Sequence, residues 1–291
     1  MWLDNASEID ILFYQPYAQF VANIICDREN TPLTVGLFGK WGAGKSTLVY
    51  LIGTELSQKD NAIVVDTNAW LYEGYTDAKT SLMETITREL GAHKKASQAI
   101  KDQCISLLSR INKLKMAKSV LTFGASAIAL FGTGNPLTLK GVGDGAKGMV
   151  DAFCGNEIRE TSVADIADFR KEFAELIEAL DGKTAIFVID DLDRCSPERI
   201  IDTLEAIKLF LSVKGTVFLI AADEDIIKYS IESKYPGLLK QENQYGTEYI
   251  EKIIQLPIRI PSLSIKDVEN YLMLLVAQKY LKKEQLMQLL S

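Results

Sequence analysis

The 291-residue chain is short of the residues that staple small folds or hold transition metals. It has one histidine, His93, and four cysteines, Cys26, Cys104, Cys154 and Cys195. No two cysteines stand at CxxC spacing, which argues against a zinc site and leaves buried or indifferent thiols in a reducing cytosol. Long hydrophobic runs are also missing. No stretch reaches the roughly 18 apolar residues that suggest a membrane-spanning helix. The N-terminus, MWLDNASEID, lacks a basic-then-apolar run and does not read as a secretory signal. Positive charge is not in excess: 32 Lys+Arg against 39 Asp+Glu give −7. That balance argues against a generic nucleic-acid coat, while leaving room for a local basic patch. What remains is 47% hydrophobic and 24% charged. This is ordinary for a globular protein, and the length suffices for a core without staples. Length alone suggests about two domains.

Five short apolar runs read as buried strands: Leu33 to Phe38, Ala62 to Val65, Thr184 to Ile189, Thr216 to Ala221 and Leu256 to Ile260. Helical spacing lies between them. Tyr17, Phe20, Val21, Ile24 and Ile25 form one stripe, with Pro16 in the first turn. Phe169, Phe173, Leu176, Ile177 and Leu180 form another, and Ser196-Pro197 opens a third helix running to about Val213. The alternation predicts an α/β fold: a doubly wound parallel sheet covered on both faces.

One region breaks the rhythm. Residues 94–118 carry seven Lys/Arg and one acid, Asp102. An apolar stretch rich in small residues follows over 119–132, and 124–155 hold eight glycines. We read 91–161 as an inserted helical and glycine-rich subdomain. Its 14 apolar residues would rise about 21 Å, short of a roughly 30 Å bilayer core. The favoured reading is a helix packed on the protein or a partner chain. Membrane contact through 94–132 and nucleic-acid contact through the lysines are the alternatives.

The strongest signal is Gly39-Lys40-Trp41-Gly42-Ala43-Gly44-Lys45-Ser46, which fits GxxxxGK[ST] between a strand and an apolar helix. Glycines let the backbone turn tightly and aim its N–H groups at phosphates, and the helix start adds partial positive charge. The candidate binding residues are Gly39, Trp41, Gly42, Ala43, Gly44, Lys45, Ser46 and Thr47. Lys45 would reach the β- and γ-phosphates, and Ser46 would ligate Mg²⁺. A second apolar strand ends in paired acids (AIFVIDD). Asp190 is assigned to Mg²⁺ and Asp191 to the attacking water. Asp191 is one methylene shorter than the Glu common there, which keeps slow turnover in play. Asp193 and Arg194 follow, to cap the next turn or face a neighbouring subunit. Asp223, after the fourth strand, is a candidate for reaching the γ-phosphate or the water, and equally an N-cap for the helix Glu224 to Ser233. The guanine-reading NKxD pattern is absent, since Leu114-Lys115 follow Asn112-Lys113. Adenine is therefore favoured, with a base pocket around Phe13 to Tyr17.

GKWGAGKSTL, NAWLYEG, VIDDLDRCSPE, TVFLIAADEDII and YIEKIIQLPIRIP occur in one order. Over about 10–90 and 162–270 the chain resembles the KAP family of P-loop NTPases. The resemblance implies an ATPase of the ASCE division, related to STAND signalling ATPases, with ATP and Mg²⁺ as ligands. Bacterial members are associated with phage exclusion and other defence systems, and many carry inserted membrane helices. The resemblance matches Trp70 to a tryptophan after the second strand, which we read as core packing. Lys252 and Arg259 fall where related ATPases can place a trans-acting cation or a sheet-edge contact, with a solvated or salt-bridged residue as the plain alternative; a homo-oligomer or a partner protein is expected.

The domain reading is therefore a P-loop core in two parts, 1–90 and 162–262, around the 91–161 insertion. Residues 263–291 would begin a C-terminal helical region, so the chain is expected to be truncated or a minimal member. The expected activity is cytoplasmic Mg²⁺-dependent ATP hydrolysis. Its rivals are a nucleotide switch with negligible turnover and a small-molecule or nucleotide kinase.

Overall fold

The structure, a computed structural model, describes residues 10, 12–72, 78–111, 156–210, 213–235, 245–261, 264–281 and 285. The apolar and glycine-rich stretches at 119–132 and 124–155 lie outside the described residues.

Five parallel strands form one sheet: β1 (Leu33–Phe38), β2 (Ala62–Asn68), β3 (Thr184–Asp190), β4 (Thr216–Ala222) and β5 (Leu256–Arg259). Their order is β2-β3-β4-β1-β5. The three inner strands are almost continuously apolar because helices cover both faces. The helices are α1 (Gln15–Ile25), α2 (Lys45–Ser57), α3 (Ala78–Ala92), α4 (98–111), α5 (Asn156–Glu178), α6 (Pro197–Phe210), α7 (Glu224–Lys234), α8 (Tyr245–Glu251) and α9 (Ile265–Tyr280). The chain is a doubly wound α/β protein with a P-loop NTPase sheet.

The two faces carry separate cores. On one, α1 and α2 bury Ala18, Val21, Ile25, Leu48 and Ile52 against Val35, Leu37, Val188 and Leu219. On the other, α3 to α8 bury a larger set, including Ile86, Ile207, Ile227 and Ile250. At its centre Phe173 and Phe210 lie 4.8 Å apart edge to face, and Phe187 and Phe218 lie 5.1 Å apart. The expected α5 stripe from Phe169 to Leu180 is wholly buried. Ile100, Cys104, Leu107 and Ile111 of α4 join the same core, so 98–111 packs on the sheet domain itself.

Two expectations need correction. The α1 stripe is rotated: Ala18, Val21, Ala22 and Ile25 face inward, while Tyr17 and Phe20 are exposed. The small alanines allow α1 to approach α2 closely, which leaves the larger rings outside. The second strand extends beyond Val65 to Asn68, through the polar Asp66 and Asn68. Pairing with the apolar β3 overrides their weak strand preference.

Register decides where the chemistry falls. Phe38 stands opposite Ala222, and Asn68 opposite Asp190. Parallel pairing therefore brings the ends of β1, β2, β3 and β4 to one edge of the sheet, where ligands bind in open α/β folds. β4 runs between the phosphate-loop strand and the acidic strand, so its tip stands between the two motifs.

Candidate nucleotide site

The loop after β1 turns on Gly42 and Gly44, whose φ angles are 80° and 79°. At Gly44 a Cβ would also come within 2.9 Å of the Tyr14 ring and 3.1 Å of Leu12. Only glycine meets both demands. Tyr14 braces the loop further, donating its hydroxyl to the Ala43 carbonyl at 2.8 Å. Gly39 N–H donates to Ala222 O at 3.2 Å, tying the loop to the β4 tip. With Gly44 as its N-cap, α2 presents its first free N–H groups inside the loop.

The resulting cavity holds about 320 Å³ and is lined by the loop, Lys45, Ser46, Thr47, Asp191, Asp193, Arg194, Ile226 and Tyr271. Trp41 stands at its rim, 79% exposed. An adjoining groove of about 950 Å³ runs between α2 and the open face of β2 and meets the cavity at Ser46.

Ser46 and Asp190 line the same groove, and the Ser46 hydroxyl favours the charged form of the Asp190 carboxylate, which brings together the two residues assigned to the metal. Burial pushes the Asp190 carboxyl above the usual carboxylate range. The bonds from the Asp191 N–H and the Ser46 hydroxyl oppose that rise, and the charges of Asp191 and Asp193 add to it. A serine hydroxyl and an under-compensated carboxylate fit a hard divalent cation.

Asp191 is the hinge of the acidic strand. Its backbone is left-handed, φ 59°, a conformation that Asp and Asn tolerate better than other side chains. Its carboxylate accepts from Asn68 Nδ2 at 2.8 Å and pairs with Arg194 Nε at 2.7 Å. The Trp70 N–H donates to Asn68 Oδ1 at 2.9 Å, which aims the Asn68 amide at Asp191. Asn68 lies beyond the expected end of the second strand at Val65, so the apolar run alone does not point to it. A polar residue in register with Asp190 was the available signal.

Asp193 does not cap its own turn. Its Oδ2 lies 3.2 Å from Lys45 Nζ, and the same oxygen accepts the Asp223 N–H at 2.9 Å. Asp223 is nearly buried and accepts from Asp225 N–H at 3.0 Å, so it caps α7. It also lies 3.3 Å from Lys40 Nζ, which bonds Asp225 as well. These acids raise the Lys40 ammonium above its ordinary range.

The remaining candidates fall elsewhere. Arg259 forms a two-pronged bridge to Glu224, with contacts of 2.8 and 3.0 Å. Arg259 and Lys228 together hold the Glu224 carboxyl down at about 2. Lys252 is exposed and does not line the cavity. Trp70 is 55% exposed, which corrects the expectation of core packing. The turn that follows β2 carries its ring outward. Of the base-pocket segment, Phe13 is exposed and Tyr14 is buried under the loop.

The KAP family P-loop domain matches residues 14–289. The chain belongs to the KAP family. Among relatives, the uncharacterized protein MJ0182 of Methanocaldococcus jannaschii is 30% identical over 190 residues, 60% of this chain and 95% of that protein. The phage T7 exclusion protein of Escherichia coli is 24% identical over 242 residues, 81% of this chain but 31% of that protein. The kinase D-interacting substrate of 220 kDa from Rattus norvegicus is 24% identical over 87 residues, 30% of this chain and 5% of that protein. KAP membership makes the chain a P-loop NTPase, and with it a nucleotide-binding fold. Among the described residues no helix is long and apolar enough to cross a membrane, and no cluster of His, Cys, Asp and Glu could hold a metal ion by itself.

Proposed function

We propose that this KAP protein is a Mg²⁺-dependent ATPase that uses hydrolysis to drive or time a conformational change. The observation that carries the reading is the Ser46–Asp190 pair beside the braced glycine loop. Ser46 and Asp190 would hold the metal ion, which supplies charge neutralisation across the phosphates. The loop N–H groups and Lys45 bind the phosphates. Asp191, oriented by Asn68, accepts the proton of the attacking water. Asp223 positions the β4 tip, and Lys252 or Arg259 would serve a neighbouring copy or partner protein. The absent guanine motif favours adenine. The similarity to the phage T7 exclusion protein supports a role as the ATPase component of a bacterial antiphage system, working in the cytoplasm.

The test is Asp191→Asn. ATP binding should persist while turnover falls at least ~100-fold. Normal steady-state hydrolysis by the variant overturns the role of Asp191. Product analysis after incubation with ATP should give free phosphate and no phosphorylated acceptor. A nucleotide switch with negligible turnover is the second reading, favoured because Asn68 and Arg194 already engage the Asp191 carboxylate. A burst assay with labelled ATP separates the two: one turnover per chain without a steady state supports the switch.

A further inference from the structure

We propose that Asp193 is an internal competitor for Lys45, holding the phosphate-loop lysine until a nucleoside polyphosphate displaces it. The inference rests on the reading of the loop as a nucleotide-phosphate site. The two side chains are only 10% and 9% exposed, so their charges meet at 3.2 Å with little screening. The other bonds of the Lys45 ammonium go to the carbonyls of Gly39 at 3.0 Å and Lys40 at 3.4 Å. One ion pair and two hydrogen bonds thus hold the ammonium within the protein. An incoming phosphate must replace one of these acceptors. Asp193 alone among them carries a charge, and it is the acceptor that repels the phosphate.

Asp193 is also fixed. It sits in the short turn Leu192–Arg194, anchored by fully buried Leu192. Its Oδ2 is held by the Asp223 N–H as well. The lysine leaves more easily than the carboxylate. After it leaves, Asp193 still lines the cavity and faces the polyanion. Asp191 does not share this effect, because Arg194 and Asn68 balance its charge. Asp193 therefore lowers affinity for every ligand that recruits Lys45. Release of Lys45 also removes one of two partners from an oxygen bonded to the β4 tip, which couples occupancy of the loop to the start of α7.

Asp193→Asn removes the charge but keeps an oxygen for the Asp223 N–H. Calorimetric affinities for ADP and a slowly hydrolysed ATP analogue, each with Mg²⁺, should tighten ~10-fold relative to wild type. The thermal midpoint of the ligand-free variant should be equal or lower, because the Lys45 ammonium loses its charged partner. If the asparagine variant does not fold, Asp193→Ser tests the same loss of charge and should show the same gain. Equal or weaker affinity in a folded variant, with wild-type binding intact, overturns the competition and leaves the nucleotide site standing. Failure of wild type and variant alike to bind either nucleotide overturns the phosphate-loop reading, and the competition with it.

Discussion

The two ends of the nucleotide cavity are balanced in opposite ways. At the Ser46 end, the groups bonded to the Asp190 carboxylate are neutral, and burial drives that acid upward. At the other end each cation already has an acid: Lys45 has Asp193, Arg194 has Asp191, and Lys40 has Asp223 and Asp225. The first end lacks positive charge, and the second lacks nothing. A divalent cation would relieve the first end by simple addition. A polyanion can enter the second only by exchange, breaking a pair for each cation it recruits. Metal and phosphate binding should therefore differ in character even though the two sites adjoin.

Three substitutions sharpen that contrast. The largest effect is expected from Lys45→Ala, which removes the exchangeable cation and leaves Asp193 unpaired against the phosphates. Nucleotide affinity should fall about 100-fold, the equivalent of losing one strong charge-assisted bond. Calorimetry checks it, and undiminished binding would break the assignment of the second end.

Asp190→Asn probes the first end. Its carboxyl holds a proton more tightly folded than unfolded, so the charged form burdens the fold at neutral pH. Replacing it should raise the ligand-free melting temperature at pH 7. The gain should fade in acid, where the wild-type carboxyl takes up its proton. The variant should also lose any stabilisation by Mg²⁺. A lower melting temperature at pH 7 would show that this end is already balanced.

The smallest effect belongs to Glu224→Gln, outside the cavity, where Arg259 is largely exposed. The loss should be about 1 kcal/mol or less at neutral pH. Here the folded pKa is depressed, so the stabilisation is complete above 4.5 and disappears as pH falls toward about 2. Denaturant titrations of both proteins from pH 7 to pH 3 should show the gap close. A gap that widens in acid would contradict the bridge.

Much of this was legible in the sequence because its signals are local. The glycine loop, the apolar strands and the paired acids each announce themselves within about ten residues. What stayed hidden depends on neighbours far apart in the chain. The sequence could not say that Asp193 would reach Lys45 instead of capping its own turn, since that follows from β4 standing between β1 and β3. It could not orient α1, because alanines and aromatic residues share its apolar spacing, and close packing against α2 selected the alanines. Trp70 misled for a related reason. A large ring after a strand suggests burial, but the turn after β2 sends it outward.

The left-handed backbone of Asp191 has a consequence for what residue can stand there. A glutamate would add a methylene toward the water, but at φ 59° it would also carry about 1–2 kcal/mol of strain that aspartate and asparagine largely escape. The choice of acid is thus made by the chain before it is made by the chemistry. The reach of the carboxylate is short because the turn that presents it admits few side chains, and Asn68 stands ready on the adjoining strand β2 to hold what fits.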